Sequence, residues 1–345
     1  MDFLRPSETP AEAVQQLRDW LDATAPVPLL IETSGSTGHP KRVVLTRDAV
    51  LASVHASATR LAGSPDATGG RWALVLPSSY VAGVQVIVRS LVAGHDPVLG
   101  AFADADGPAA FTSLVPTQLH RMMDSPDDVA ALAAMDAVLL GGGPVDAGLR
   151  ARAEAVGIRV VATYGASETA GGCVYDGHPL DGVGVAIDAT GRVRLGGPTI
   201  FSGYLDDDAL TAETLVDGWY VTNDLGTLDH DGRLKILGRA DDVVVSGGVN
   251  VPLPAVRTAL LTHVDVDQAE LAGVDSVEWG TEVVAVVVPA AGRTPELDAL
   301  RNHVAATHPR AWAPRRLVVV DALPLLGNGK VDRTGVRALA AGGAA

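Results

Sequence analysis

The sequence predicts an α/β protein of two domains. The larger N-terminal one combines mixed or parallel sheets and helices with a small β subdomain, and the smaller C-terminal one is α+β. Three observations carry this expectation. Short apolar runs of strand length alternate with helical patterns as far as residue 162. From about Gly182 to Leu237 the pattern turns to short β segments punctuated by turns. Near residue 240 a strand–helix alternation starts afresh, which places a boundary there and gives domains 1–240 and 241–345.

Taken in order, residues 11–22 carry Val14, Leu17, Trp20 and Leu21 at helical spacing, and residues 27–31 read as a short buried strand. A loop of hydroxyls and glycines comes next, Thr33-Ser34-Gly35-Ser36-Thr37-Gly38-His39-Pro40-Lys41, and Thr46-Arg47-Asp48 then opens a helix with Val50, Leu51, Val54 and Ala58 on its apolar face. Residues 71–76 form the next strand, Pro77-Ser78-Ser79-Tyr80 the turn after it, and 81–93 a long apolar helix. The strand at 111–115 leads into a helix with Pro116 in its first turn. The strand at 137–140 ends in Gly141-Gly142-Gly143-Pro144, with a helix at 146–156 and a strand at 158–162 beyond it. In such a sheet ligands sit beyond the carboxyl ends of the strands. The Gly/Ser-rich exits at 33–41, 141–144 and 163–169 are therefore expected to share one crevice. The β subdomain comprises segments at 183–187, 191–195, 220–229 and 232–237. The C-terminal pattern reads as helix 254–263, strands 268–274 and 282–288, helix 295–307 and strand 317–320.

Bulk properties narrow the function. A formal charge of −15 argues against nucleic acid or an anionic membrane surface as partner. The single cysteine, Cys173, excludes internal disulfides and a cysteine metal cage, and suits a reducing cytoplasm. No apolar run reaches membrane-spanning length, and residues 1–10 carry neither a basic nor an apolar export signal. Of 26 basic residues only Lys41, Lys235 and Lys330 are lysines. Two of them stand in Gly/Pro-flanked motifs, which hints at a need for a compact ammonium.

The loop at 33–41 has the chemistry of a polyphosphate cradle: glycines that admit close backbone approach, four Ser/Thr hydroxyls and a terminal point cation. It is not a Walker A loop. Pro40 stands where that loop has Gly, and Arg42 stands where it has its magnesium-binding Ser/Thr. The exit Thr163-Tyr164-Gly165-Ala166-Ser167-Glu168-Thr169 offers an aromatic face, a glycine and a carboxylate. These suit adenine stacking, close approach and the magnesium of ATP. They also suit a strand ending in a helix cap at Ser167. Asp224, in Trp219-Tyr220-Val221-Thr222-Asn223-Asp224, could accept ribose hydroxyls from a strand exit or form an Asx turn. Leu323-Pro324-Leu325-Leu326-Gly327-Asn328-Gly329-Lys330 puts a glycine-flanked lysine on an exposed loop.

The order T-S-G-S-T-G-x-P-K, with the later motifs in sequence, resembles the acyl-adenylate-forming (AMP-dependent synthetase/ligase) superfamily over residues 27 to 335. Within it the chain looks like the short-form o-succinylbenzoate–CoA ligases of menaquinone biosynthesis. That likeness rests on Leu76-Pro77-Ser78-Ser79-Tyr80-Val81-Ala82-Gly83, Leu114-Val115-Pro116-Thr117-Gln118-Leu119 and the stretch from Ser167 to Gly177. The resemblance implies a large ATP-binding domain, a small mobile C-terminal domain, and ATP, Mg2+ and CoA as the reaction's needs. It assigns Thr33, Ser34, Gly35, Ser36, Thr37, Gly38 and Lys41 to the phosphates, and Gly141, Gly142, Gly143, Tyr164, Gly165 and Ser167 to the adenine end. It assigns Glu168 to magnesium, Asp224 and Arg239 to the ribose, Asp241 to the hinge, Lys330 to adenylation, and Gly247 and Gly248 to the CoA channel.

Ser79, Tyr80, Thr117, Gln118, Gly171 and Gly172 are the expected substrate-binding residues, all neutral donors. The implied partners are 2-succinylbenzoate or a similar small carboxylic acid, ATP and CoA. Many relatives have His at Tyr80 and Gly at Asn223, and most carry a further subdomain where only 32 residues precede the loop here. Monomer and homodimer both stay open. The alternatives are another aryl- or acyl-CoA ligase, an adenylation domain loading a carrier protein, and a catalytically silent nucleotide-binding regulator.

Overall fold

The computed structural model describes residues 2–33, 41–63, 69–324 and 331–342. Two compact units emerge: Met1–Asp188 with Arg194–Thr222 and Leu228–Lys235, and Ile236–Ala345 with Ala189–Val193 and Asn223–Thr227.

In the first unit, helix α1 (Pro10–Asp22) starts on proline, which has no N–H to strand at that end, and buries Ala13, Leu17 and Trp20. Helix α2 (Arg47–Ala62) is capped by Thr46, whose side chain accepts from the Ala49 N–H at 3.1 Å, and it stops at Gly63 with φ +71°. Helix α3 (Val81–Val92) is apolar on nearly every face and is buried from Gly83 to Ser90.

These helices accompany a seven-stranded mixed sheet. Its order is His178–Pro179, Gly171–Tyr175, Val160–Ala166, Ala137–Leu140, Phe111–Leu114, Trp72–Leu74 and Val98–Leu99. Neighbours from Val98–Leu99 to Val160–Ala166 run parallel. The chain then reverses, and Gly171–Tyr175 and His178–Pro179 pair antiparallel. The central strands Ala137–Leu140 and Phe111–Leu114 are buried throughout, as strands covered on both faces must be.

A three-stranded antiparallel sheet orders Leu29–Thr33, Lys41–Leu45 and Gly203–Tyr204. This differs from the sequence expectation. Strand Leu29–Thr33 is followed by a second strand, Lys41–Leu45, antiparallel to it with Thr33 opposite Lys41, before the helix capped by Thr46 begins. The charged pair Lys41-Arg42 masks the β-forming Val43-Val44-Leu45 next to it. A further five-stranded sheet orders Gly184–Ile187, Arg192–Gly196, Trp219–Leu228 and Leu215–Val216, with Leu234–Arg239 also paired to Trp219–Leu228.

The second unit holds the sheet Val249–Pro252, Val243–Ser246, Gly280–Pro289 and Val266–Ser276, with Arg316–Val319 added parallel to Gly280–Pro289. Strand alternation gives it two cores. Val283, Ala285 and Val287 pack with Val256, Leu260 and Leu300, while Val284 and Val286 pack with Leu323 and Val336. Strands Val243–Ser246 and Val249–Pro252 pair so that only Gly247 and Gly248 remain in the turn, at φ +57° and +77°. Two positive φ values in a two-residue hairpin loop define a turn that glycine satisfies without strain.

Helices Pro126–Ala133 and Arg333–Ala340 were not expected. Their caps were written in the sequence: Ser125 accepts from the Asp128 N–H at 3.3 Å, and Asp332 accepts from the Thr334 N–H at 2.9 Å.

Candidate active site

A cavity of about 500 Å³ opens beyond the carboxyl ends of the parallel strands. Four of the five parallel strands contribute residues from the carboxyl end or just past it: Leu76 and Pro77, then Val115, then Gly141 and Gly142, then Gly165 and Ala166. The antiparallel return adds Gly171, Gly172 and Tyr175. Helix α3 forms the remaining wall through Val81, Gln85 and Arg89, with its N-cap Tyr80 at the start.

The glycines here answer to close packing. A Cβ on Gly165 would stand 2.2 Å from the Gly171 carbonyl oxygen, and one on Gly141 would stand 2.4 Å from Thr163 Oγ1. No side chain larger than hydrogen fits at Gly165 without moving backbone, or at Gly141 without displacing the Thr163 side chain.

Of the residues expected from sequence, Tyr80, Gln118, Gly141, Gly142, Gly165, Gly171 and Gly172 line this cavity. Ser79, Thr117, Gly143 and Tyr164 do not. Tyr164 lies between the lining residues Thr163 and Gly165 on strand Val160–Ala166, so strand alternation turns it to the other face. That strand also runs through Ala166, past the end at 162 expected from sequence. Gln118 is partly committed to the fold: its Nε2 donates to the Val75 carbonyl at 2.9 Å and its Oε1 accepts from the Val115 N–H at 3.0 Å.

Sequence reasoning missed the most consequential wall. It expected only neutral donors, yet Arg89, 5% exposed, lines the cavity. Its Nη2 donates to Tyr175 Oη at 3.2 Å, its Cζ lies 5.0 Å from the Trp72 ring centroid, and its Nε is buried without a hydrogen-bond partner. No carboxylate pairs with Arg89 among the described residues. One turn earlier, Gln85 Nε2 donates to the Ala170 carbonyl at 2.7 Å, which fixes the amide, while its Oε1 is also buried without a partner. Two unpartnered buried polar atoms on one cavity wall call for a ligand or water that satisfies them. The signal was present in the sequence: a lone arginine in a helix apolar all round must be buried.

A second cluster gathers at the exit of strand Val160–Ala166. Glu168 is 6% exposed, and its Oε1 accepts from Tyr204 Oη at 2.6 Å. Lys41 Nζ lies 5.3 Å from the Tyr204 ring centroid. The Phe201 N–H donates to the Glu168 carbonyl at 2.9 Å, and the Phe201 ring meets Tyr204 edge-on at 4.9 Å. Burial first, and then the Glu168 carboxylate, push the Tyr204 phenol well above its ordinary value, so it stays a donor. Glu168 sits after Ser167 in a short 3-10 turn, Ser167–Thr169, ended by Ala170 at φ +50°. A carboxylate completed by nucleotide phosphates and water is the usual way Mg2+ is held, and Glu168 fits that requirement.

The remaining expected residues fall elsewhere. Ser34, Gly35, Ser36, Thr37, Gly38 and Lys330 lie outside the described residues. Thr33 ends its strand opposite Lys41. Asp224 sits inside strand Trp219–Leu228, not at a strand exit, because the strand continues four residues past it to Leu228. Arg239 closes strand Leu234–Arg239, and Asp241 belongs to the turn Ala240–Asp242. Cys173 is fully buried and its thiol is pushed up to about 12 by burial, so it is no nucleophile at neutral pH.

Comparison with known proteins places the chain in one family. The family described as AMP-binding enzyme matches residues 6–205, and the AMP-binding enzyme C-terminal domain matches residues 256–330. A probable 2-succinylbenzoate–CoA ligase of Mycobacterium tuberculosis is 43% identical over 324 residues, covering 89% of this chain and 83% of that protein. A 2-succinylbenzoate–CoA ligase of Geobacillus kaustophilus is 31% identical over 327 residues, covering 86% of this chain and 66% of that protein. Among solved structures, the o-succinylbenzoate CoA synthetase of Bacillus subtilis in complex with the acyl-adenylate intermediate OSB-AMP superposes with a TM-score of 0.71. It is 26% identical, with 90% of this chain and 68% of that one covered. The amide bond synthetase McbA of Marinactinospora thermotolerans has a TM-score of 0.73 at 28% identity, with the same coverage of 90% and 68%.

Proposed function

Because the chain belongs to the AMP-binding enzyme family, we propose that it is an ATP-dependent carboxylate–CoA ligase acting on 2-succinylbenzoate, which enters menaquinone biosynthesis as the CoA thioester. The observation that carries the choice of acid is Arg89. A buried guanidinium without a carboxylate partner among the described residues, on a cavity whose other walls are apolar side chains, glycine backbone and neutral polar groups such as Gln85, Gln118 and Thr163, suits an aromatic acid with a second anionic group. The names of the M. tuberculosis and G. kaustophilus relatives support the same acid.

In the first half-reaction a carboxylate oxygen of the acid bonds to the α-phosphorus of ATP. The phosphorus–oxygen bond to pyrophosphate breaks, and pyrophosphate leaves with the electron pair. Thr33, the hydroxyl loop Ser34–Gly38 and Lys41 hold the leaving phosphates. The glycines Gly141–Gly143 and Gly165, with Tyr164 and Ser167, frame the adenine end, and Asp224 and Arg239 take the ribose. Mg2+, held by Glu168 together with the phosphates, supplies charge neutralisation when bound. Lys330 stabilises the charge that develops during transfer. Arg89 holds the carboxylate that does not react, and the Tyr80–Gln118–Gly171–Gly172 surround holds the ring.

In the second half-reaction the CoA sulfur bonds to the acyl carbon, the carbon–oxygen bond to AMP breaks, and the thiol proton passes to solvent. A C-terminal domain of residues 241–345, swinging about Asp241, brings Gly247 and Gly248 to the CoA. Positioning and electrostatics suffice for both halves, and no protein nucleophile is needed.

The test is pyrophosphate release from ATP over a panel of acids, with and without CoA. 2-Succinylbenzoate is expected to exceed 4-oxo-4-phenylbutanoate and 2-butanoylbenzoate, each lacking one carboxylate, by about 100-fold or more in kcat/KM. Equal turnover of a medium-chain fatty acid sinks the substrate and leaves the ligase class. Thioester formation only on a carrier protein, or product formation only with an amine, sinks the CoA half.

A further inference from the structure

Among the described residues, Arg89 is oriented by neutral groups alone. Tyr175 Oη accepts from Arg89 Nη2 at 3.2 Å and lies 2.8 Å from Ser57 Oγ. Since the phenol oxygen receives the arginine proton, its own O–H is free to donate to Ser57. Ser57 and Tyr175 are 0% and 1% exposed, and they come from helix α2 and strand Gly171–Tyr175. The Trp72 ring supports the guanidinium from another side. A carboxylate in place of the phenol would hold the fork just as firmly, but it would cancel the charge and fill the donors that a ligand needs. A phenol backed by a hydroxyl fixes the guanidinium and leaves its charge uncompensated.

We propose that Ser57 and Tyr175 are positioning residues that hold Arg89 in the orientation from which it selects a diacid over a monoacid. The proposal rests on Arg89 as the seat of the non-reacting carboxylate. Ser57 is the sharper probe, because it does not line the cavity and can act only through Tyr175.

The experiment measures the ratio of kcat/KM for 2-succinylbenzoate to that for the better of 4-oxo-4-phenylbutanoate and 2-butanoylbenzoate. It compares the full-length wild type, Tyr175→Phe, Ser57→Ala, their double variant, Arg89→Lys, and Tyr175→Phe combined with Arg89→Lys. Losing a hydrogen bond to a charged group predicts a ratio about 10-fold lower for Tyr175→Phe and about 3-fold lower for Ser57→Ala, expressed mainly in KM. Ser57→Ala is expected to add nothing once Tyr175 is Phe, and Tyr175→Phe little once Arg89 is Lys. An unchanged ratio in Tyr175→Phe overturns the proposal, as does a loss of the same size in the Arg89→Lys background. Should Tyr175→Phe not fold, Ser57→Ala decides alone. A wild type with no preference for the diacid, or Arg89→Lys with the preference intact, instead overturns the reading of the acid or of Arg89.

Discussion

Two cation–tyrosine clusters in the first unit are built from similar parts and serve opposite ends. At the cavity wall, Arg89 donates to Tyr175, whose partner is the neutral Ser57 hydroxyl. At the strand exit, Lys41 lies over the face of Tyr204, whose hydroxyl donates to the Glu168 carboxylate. The first arrangement leaves a positive charge uncompensated inside the protein, where an anion gains most by meeting it. The second places a carboxylate and an ammonium on one phenol without pairing them, which suits a metal and a polyphosphate arriving together. A tyrosine beside a cation therefore says little until the phenol's other partner is known. On the proposed function, selection of the acid belongs to the first cluster and chemistry on the phosphate to the second.

The largest expected effect tests the chemical side of that division. Lys330→Ala should lower pyrophosphate release by about 1,000-fold, the scale of losing one preorganised charge at a transition state, and by the same factor for every acid. Thioester formation from a supplied acyl adenylate should largely survive. An acid-dependent loss would break the separation between selection and chemistry.

Next in size is Arg89→Met, which should lower the preference for 2-succinylbenzoate over either monoacid by about 100-fold, read as the ratio of kcat/KM. If both kinds of acid lost equally, Arg89 would be a structural cation and the comparison would fail on its cavity side.

Tyr204→Phe should be milder. It removes the donor that holds Glu168, so the Mg2+ concentration giving half-maximal rate should rise about 10-fold while acid preference stays unchanged. A changed preference with normal magnesium dependence would reverse the roles of the two clusters.

How much of this was legible depends on where the signal lay. The strand exits at Gly141 and Gly165 were readable because a Cβ there would stand 2.4 Å from the Thr163 hydroxyl or 2.2 Å from the Gly171 carbonyl oxygen, which favours glycine. The strand Lys41–Leu45 was hidden by its polar start, and Gly171–Tyr175 by two glycines that read as loop. Tyr175 and Ser57 lie 118 residues apart and meet only once helix α2 and strand Gly171–Tyr175 have packed, so no local pattern announces them. Arg89 differs. It was visible as the one charge in an apolar helix, and what sequence could not supply was the absence of a carboxylate beside it among the described residues.

The smallest effect concerns stability at high pH. Burial raises the Cys173 thiol from 9.0 to about 12 and also raises the Tyr204 phenol above its ordinary 10.0. In both cases the folded state keeps a proton that the unfolded chain releases, so the stabilisation is intact below about pH 9 and falls as pH rises. The Cys173 part is lost between pH 9 and about 12, at up to roughly 1.4 kcal/mol per pH unit, and the Tyr204 part begins only above pH 10. Urea midpoints of Cys173→Ala should accordingly fall less steeply than wild type between pH 9 and 10, and Tyr204→Phe should diverge only above pH 10. Parallel curves for all three proteins would show that neither proton is held by the fold.

Helix α3 also acts as a ruler. Its N-cap Tyr80 is 52% exposed and Arg89 is 5% exposed, and both line the same cavity with Gln85 between them. Nine residues at about 1.5 Å each set these two marks about 13 Å apart along the axis. The backbone at the open end cannot drift, because a Cβ on Gly83 would already sit 2.1 Å from the Pro77 carbonyl oxygen. The gauge length is thus a property of the helix and not of a loop. On the proposed function, a shorter acid would be admitted by moving the cation one turn toward Tyr80, to position 85, and not by remodelling the rim.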